Sequence, residues 1–257
     1  MLRLTLNRPD AANSATPAMI DTLLTALAEA AVSDTARVVH IGAAGKAFCS
    51  GVDLRRANAP RTEAGKAERE RTGHIQRRIN AGAHRVLRAL SELQLPVVAG
   101  VRGWAAGFGL GLALCSDYVV ASTTAKFWAP QVGRGFNPDA GATYLLPRLV
   151  GIARAKQMVL LSQPIGGEQA AAWGMVAEAV PDGELEDRTR AVVDQFASSA
   201  TVAVGLAKSL VERNLTADLA QALAAESMTA EVALRSDDFK EGIASLLEKR
   251  PPSYRGR

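Results

Sequence analysis

Apolar and polar positions alternate over Leu2, Arg3, Leu4, Thr5 and Leu6, and Pro9 closes the pattern, which predicts a strand with one buried face. From Pro17 to Ala31 the period becomes helical: Met19, Leu23, Leu27 and Ala30 share a stripe, and Pro17 suits a first turn. Residues 37–41 read as a buried strand, followed by a glycine-punctuated loop through "GAAGKAFCSG". Residues 62–95 predict one or two polar helices ending before Pro96. "PVVAGVRG" is a second buried strand, a helix starts near Gly107 to Gly109 and runs to Ser116, "DYVVAS" is a third strand and "AKFWAP" a short fourth. Helices follow at 141–149, 152–161 and 167–173, then the strand-like "MVAEAVP". From Leu185 onward only helical patterns remain, ending in a proline-rich basic tail. Strands and helices alternating in this way predict an α/β core over residues 1–184 with parallel pairing, and a helical region over 185–257.

Composition narrows the class. The 257 residues are 48% hydrophobic and 22% charged, ordinary values for a globular domain, with scarce aromatics and abundant alanine and glycine. No apolar run has the length of a membrane span, the first ten residues lack a signal-peptide core, and Cys49 and Cys115 form neither a disulfide framework nor a zinc spacing. A cytoplasmic protein without membrane or metal is therefore expected. Charge is uneven: Arg55 to Arg88 holds ten Lys/Arg against three Glu, a local +7 within a chain of net +4. Such a run is ordinarily a solvated helical face, or a surface for a polyanion. It lacks the aromatics that stack bases, which disfavours nucleic acid as a partner.

The chemistry points to two loops of one design. "KAFCSGVDL" places Gly51 and Val52 just after a buried strand, and "GWAAGFGLGL" places Gly107 and Phe108 after another, at the mouth of a helix. Two such turns on neighbouring strands can aim two backbone N–H groups at one point, an oxyanion hole suited to a thioester carbonyl. Tight packing explains glycine-rich turns equally well.

The segments "LTLNRPDAANS", "GKAFCSGVDL", "PVVAGVRGWAAGFGLGLALCSDYVVAS", "FNPDAGATYLLPRLVG", "EQAAAWGMVAEAVP" and "DDFKEGIASLLEKRPPSYRGR" together resemble the crotonase (enoyl-CoA hydratase/isomerase) superfamily along nearly the whole chain. The resemblance implies an α/β spiral of ββα units with a C-terminal helical region that assembles homotrimers or hexamers. It implies an acyl-CoA substrate with no separate cofactor, and puts the donor pair on the N–H groups of Val52 and Phe108. Phe108 stands where most members have glycine, so its ring takes room in the acyl pocket. Ser50, Gly51, Asp53, Leu54, Gly107 and Gln131 would border the substrate or its coenzyme A, with Asp53 fixing the loop. The basic stretch 55–78, and Lys249 or Arg250 of a neighbouring subunit, would reach the CoA phosphates.

The family's hydratases deliver water with two glutamates, whose positions fall on Gly111 and Gln131. Neither residue transfers a proton. Family isomerases of the ring-1,2-epoxyphenylacetyl-CoA type use an aspartate that matches Asp139, in "NPDAGATYLLPR". Enclosed by Phe136 and Trp128, Asp139 would move a proton along the acyl chain; otherwise it is a helix N-cap. The expectation is an enoyl-CoA isomerase. Hydration is the alternative. A 4-chlorobenzoyl-CoA dehalogenase-like hydrolysis would use Asp139 as nucleophile with His84 as base, although that pattern's tryptophan falls on Gln131. Non-catalytic acyl-CoA or RNA binding completes the set.

Overall fold

The computed structural model describes residues 1–54 and 71–257. Five strands form a parallel sheet in the order β1 (Leu2–Leu6), β2 (Val39–Ala43), β3 (Val97–Val101), β5 (Tyr118–Ser122) and β8 (Glu178–Val180). Three short strands, β4 (Trp104–Ala106), β6 (Lys126–Trp128) and β7 (Ile165–Gly166), form a second sheet, parallel between β4 and β6 and antiparallel between β6 and β7. The chain repeatedly leaves the large sheet for the small one: β3 runs into β4 and β5 into β6, while after β2 Cys49 bridges Ala105 of β4.

The period-2 geometry of a strand sends successive side chains to opposite faces. Val39, Ile41, Val97 and Ala99 enter the main core, and Val38, Val98 and Val120 line the other side. Both faces of β3 are covered, which is why it reads as an apolar run, whereas β2 is interrupted by the half-buried His40. The main core is closed by α1 (Pro17–Ala31), α3 (Ala83–Glu92) and α4 (Phe108–Leu114), while α2 (His74–Ala81) precedes α3 and buries no residue. Helix α1 starts where Thr16 accepts from Met19 N at 3.2 Å, and buries Ile20, Leu23, Leu27 and Ala30. Every residue of α4 is buried, as expected of a helix that is apolar all round. Helices α5 (Ala142–Val150), α6 (Ile152–Leu160) and α7 (Gly167–Ala172) follow.

The second face is covered by α8 (Leu185–Ala197) through Leu185, Val192 and Val193. The helices α9 (Thr201–Asn214), α10 (Leu219–Ala233) and α11 (Asp237–Glu248) extend beyond it. They leave Leu219, Met228, Leu246 and Leu247 largely exposed. The tail returns over α11: Asp238 accepts from Arg255 N and Gly256 N at 2.6 and 2.8 Å, and Arg37 donates to Tyr254 O at 3.0 Å.

The second strand lies two residues later than its apolar run suggested. The polar stretch before Pro96 divides into α2 and α3 at Gly82, and its part from 55 to 70 lies outside the described residues. Strands β4 and β7, three and two residues long, are too short to show a period.

Candidate active site

The turn carrying Ser50 to Asp53 is held by the segment after β1. Asn13 is fully buried; its Nδ2 donates to Ala44 O and Ala47 O at 2.9 and 2.7 Å, and its Oδ1 accepts from Arg8 N at 2.6 Å. Ser50 N donates to Ala12 O, Ala15 N to Gly51 O, and Asp53 N to Ala15 O, at 2.8–3.0 Å. Arg8 Nη1 closes the bracket on Asp53 Oδ2 at 3.2 Å. "LNRPDAANS" is thus a clamp on the Gly51–Val52 turn, which has two consequences. Gly51 takes φ +106°, a conformation glycine adopts freely, and the Val52 N–H has no partner among the described residues.

That turn rests against the start of α4. A Cβ on Gly51 would lie 3.2 Å from Ala106 O and 4.0 Å from Phe108 N. Gly107 caps the helix at φ +53° and gives its own N–H to Trp128 O at 3.0 Å. The Phe108 N–H, first in the helix, has no partner among the described residues. The Phe108 ring itself is buried in the main core. Helix α4 approaches this loop closely because Gly109 has no Cβ, which would otherwise stand 2.2 Å from Cys49 O.

Asp139 arrives from the other side. Ala140 and Gly141 both take left-handed conformations, at φ +55° and +76°, and fold the chain back into α5. Gly141 is the N-cap of α5, with no side-chain cap bond, so the capping role for Asp139 is not realised. Its Oδ1 instead accepts from Gln131 Nε2 at 2.7 Å. Gln131 is only 2% exposed, and a Cβ on Gly107 would lie 3.8 Å from both Gln131 Nε2 and Gly51 Cα. The amide therefore links the two glycine turns to the carboxylate. Phe136 does not enclose Asp139 as expected: it is 44% exposed, carried outward by the turn that begins at Gln131. The same Asp139 turn packs on α4, where a Cβ on Gly111 would meet Ala140 O at 2.6 Å and Leu87 Cδ1 at 3.1 Å.

The enoyl-CoA hydratase/isomerase profile matches residues 1–257. The chain belongs to the enoyl-CoA hydratase/isomerase family. It is 37% identical to a Rhodobacter capsulatus protein named probable enoyl-CoA hydratase, over 99% of this chain and 94% of that one. It is 35% identical to the 1,2-epoxyphenylacetyl-CoA isomerase of Escherichia coli K12, over 100% and 95%. Among solved structures, an enoyl-CoA hydratase from Bacillus anthracis superposes with TM-score 0.90 at 30% identity, covering 99% of this chain and 95% of its own.

Within this family's scaffold, the position matched to the first hydratase glutamate is closed by backbone. Ala140 fills the space beside Gly111 that an acidic side chain would need. The second position holds Gln131, tied to Asp139. His84 lies on α3, its Nδ1 3.1 Å from Asn80 Oδ1 and its Nε2 enclosed without a hydrogen-bond partner; no hydrogen bond or ion pair joins it to Asp139. Leu54 is exposed at the end of the clamped turn. Of the basic residues expected at the CoA phosphates, those from 55 to 70 lie outside the described residues, and Arg250 is engaged by Glu241 and Glu248 at 2.5 Å each. Burial pushes the Cys49 and Cys115 thiols up to about 11, leaving them un-ionised at neutral pH, so thiolate chemistry is not available there. No helix is long and apolar enough to cross a membrane, and no metal-binding group of His, Cys, Asp and Glu forms among the described residues.

The Asn13 clamp and the Gln131–Asp139 bond were not visible in the sequence. Asn13 sits in a polar turn motif with no periodic signature. The amide–carboxylate contact joins residues eight apart through an irregular turn.

Proposed function

We propose that this chain is an acyl-CoA isomerase that shifts a carbon–carbon double bond, with Asp139 as the acid/base and the Val52 and Phe108 N–H groups as donors to the thioester oxygen. The observation that carries the reading is the placing of Asp139. A buried amide holds this carboxylate beside the two glycine turns, where both hydratase glutamates are replaced.

The chemistry follows from that arrangement. The Asp139 carboxylate takes a proton from the acyl carbon next to the double bond, and the electron pair left behind delocalises toward the thioester oxygen. Two preorganised N–H donors stabilise the resulting dienolate, each worth on the order of a hundredfold or more in rate. The neutral Asp139 then returns its proton at a carbon further along, so no atom is gained or lost. Coenzyme A arrives with the substrate and leaves with the product, and no resident cofactor takes part. The exposed apolar residues of α10 and α11 support assembly of the chain into homotrimers or hexamers through the 185–257 region.

Asp139→Asn tests the reading. Isomerisation of a 3-enoyl-CoA should fall by on the order of a thousandfold, while a saturated acyl-CoA binds as before. Undiminished isomerisation overturns the assignment. Hydration, the other activity of the family, is opposed by the closed position at Gly111.

A further inference from the structure

Gln131 is a costly residue in its place. A buried primary amide is stable only when its donors and acceptor are paired, yet Oε1 is enclosed with no partner among the described residues. An apolar side chain of similar volume would fill the same space without that orphan acceptor. Packing therefore does not account for the amide. Its one side-chain hydrogen bond among the described residues is the 2.7 Å contact from Nε2 to Asp139 Oδ1. The Gln131 carbonyl accepts from Arg134 N and Phe136 N at 2.9 and 3.2 Å, so its main chain is fixed by the turn it begins.

We propose that Gln131 is the positioning residue of the proton transfer: by occupying Oδ1 of Asp139 it leaves Oδ2 as the single oxygen that takes and returns the proton. This rests on the reading of Asp139 as the acid/base. Oδ1 accepts the Nε2–H when the carboxyl group is ionised. It accepts equally when Oδ2 carries the substrate's proton, because the carbonyl oxygen of a neutral acid keeps its lone pairs. The carboxyl plane is thus held through both halves of the reaction. In the first, a C–H bond breaks and its proton moves to Oδ2. In the second, the proton leaves Oδ2 for another carbon of the same dienolate. Gln131 exchanges no proton. An unheld carboxyl would turn between the two steps and give its proton to water.

The test compares Gln131→Met, Gln131→Glu and Asp139→Asn, with a 3-enoyl-CoA deuterated at the carbon that loses its proton. Gln131→Met should lower kcat by on the order of a hundredfold, the usual cost of a group misplaced by about 1 Å. Its Kd for butyryl-CoA should stay within about twofold, and its melting temperature should be unchanged or higher. Less of the substrate's deuterium should return to the product, a readout that loss of fold alone does not move. Gln131→Glu can donate to Oδ1 only when its own carboxyl is neutral, so its activity should appear at acidic pH and vanish as pH rises. Wild-type kcat and deuterium return in Gln131→Met would overturn the inference, as would a wild-type pH profile in Gln131→Glu should the Met variant not fold. If Asp139→Asn keeps full activity, the acid/base reading itself falls; if it is inactive while Gln131→Met is normal, only the role of Gln131 falls.

Discussion

Adding one methyl group to α4, as Gly111→Ala, probes the contact on which the placing of Asp139 depends. The new Cβ would stand 2.6 Å from Ala140 O, 3.1 Å from Leu87 Cδ1 and 3.2 Å from Ala140 Cβ. Leu87 can yield by changing rotamer, but the carbonyl belongs to a turn with two consecutive left-handed residues, Ala140 and Gly141. Ordinary contact begins at 3.4 Å, so that carbonyl must retreat by about 0.8 Å. Overpacking of this kind costs ~1–3 kcal/mol. Alanine gains up to ~1 kcal/mol over glycine in a helix, which leaves a net loss of up to about 2 kcal/mol in urea unfolding. The functional effect should exceed what the loss of stability alone would produce in folded protein. Asp139 is the residue before Ala140, and a shift approaching 1 Å costs on the order of a hundredfold in rate. Isomerisation by Gly111→Ala should fall at least tenfold, or about 1.4 kcal/mol in activation free energy, in protein that is still fully folded. Gly111→Glu should not confer hydration. A Gly111→Ala variant with wild-type stability and rate would refute the packing argument, as would a folded Gly111→Glu that hydrates crotonyl-CoA.

Two further predictions concern the frame. Lys208 reaches from α9 to Asp117 Oδ2 at 2.7 Å with its side chain 7% exposed, and it also donates to Leu90 O at 2.8 Å. Burial pushes the Asp117 carboxyl up from its ordinary value, opposed by that ammonium, so Lys208→Met should cost up to ~3–5 kcal/mol in urea unfolding. Lys208→Met with Asp117→Asn should recover part of the loss; an unaltered single variant would contradict the pairing. At the tail, the Arg250 guanidinium and the Ser253 N–H hold Glu241 down at about 2 against an ordinary 4.5. A depressed carboxylate stabilises above its unfolded value and loses that contribution as pH falls through the folded one. Pepsin should therefore release the 251–257 tail increasingly between pH 4.5 and about 2, and Glu241→Gln should release it already at 4.5.

The periodic parts of the chain were legible because their periods are imposed by one-sided or two-sided burial. Helix α1 begins and ends where the stripe Met19, Leu23, Leu27 and Ala30 places it, since Thr16 and Pro17 fix its first turn. Strands β3 and β5 were readable as apolar runs closed on both faces. The short strands β4 and β7 were not, because their pairing is set by neighbours distant in sequence: Trp104 with Lys126, and Ile165 with Phe127. The candidate residues Val52, Phe108, Gln131 and Asp139 could be named from motifs. Their relations could not. The Gln131 amide meets Asp139 through an irregular turn, and Gly111 meets Ala140 across two elements, so neither contact leaves a period or a spacing behind.

The most direct measurement is the mass and double-bond position of the product formed when the purified chain is given a 3-enoyl-CoA in water. The account predicts a product of unchanged mass with the double bond moved, and no faster hydration of crotonyl-CoA than the Asp139→Asn variant shows. A product heavier by one water, formed at a rate independent of Asp139, would contradict it.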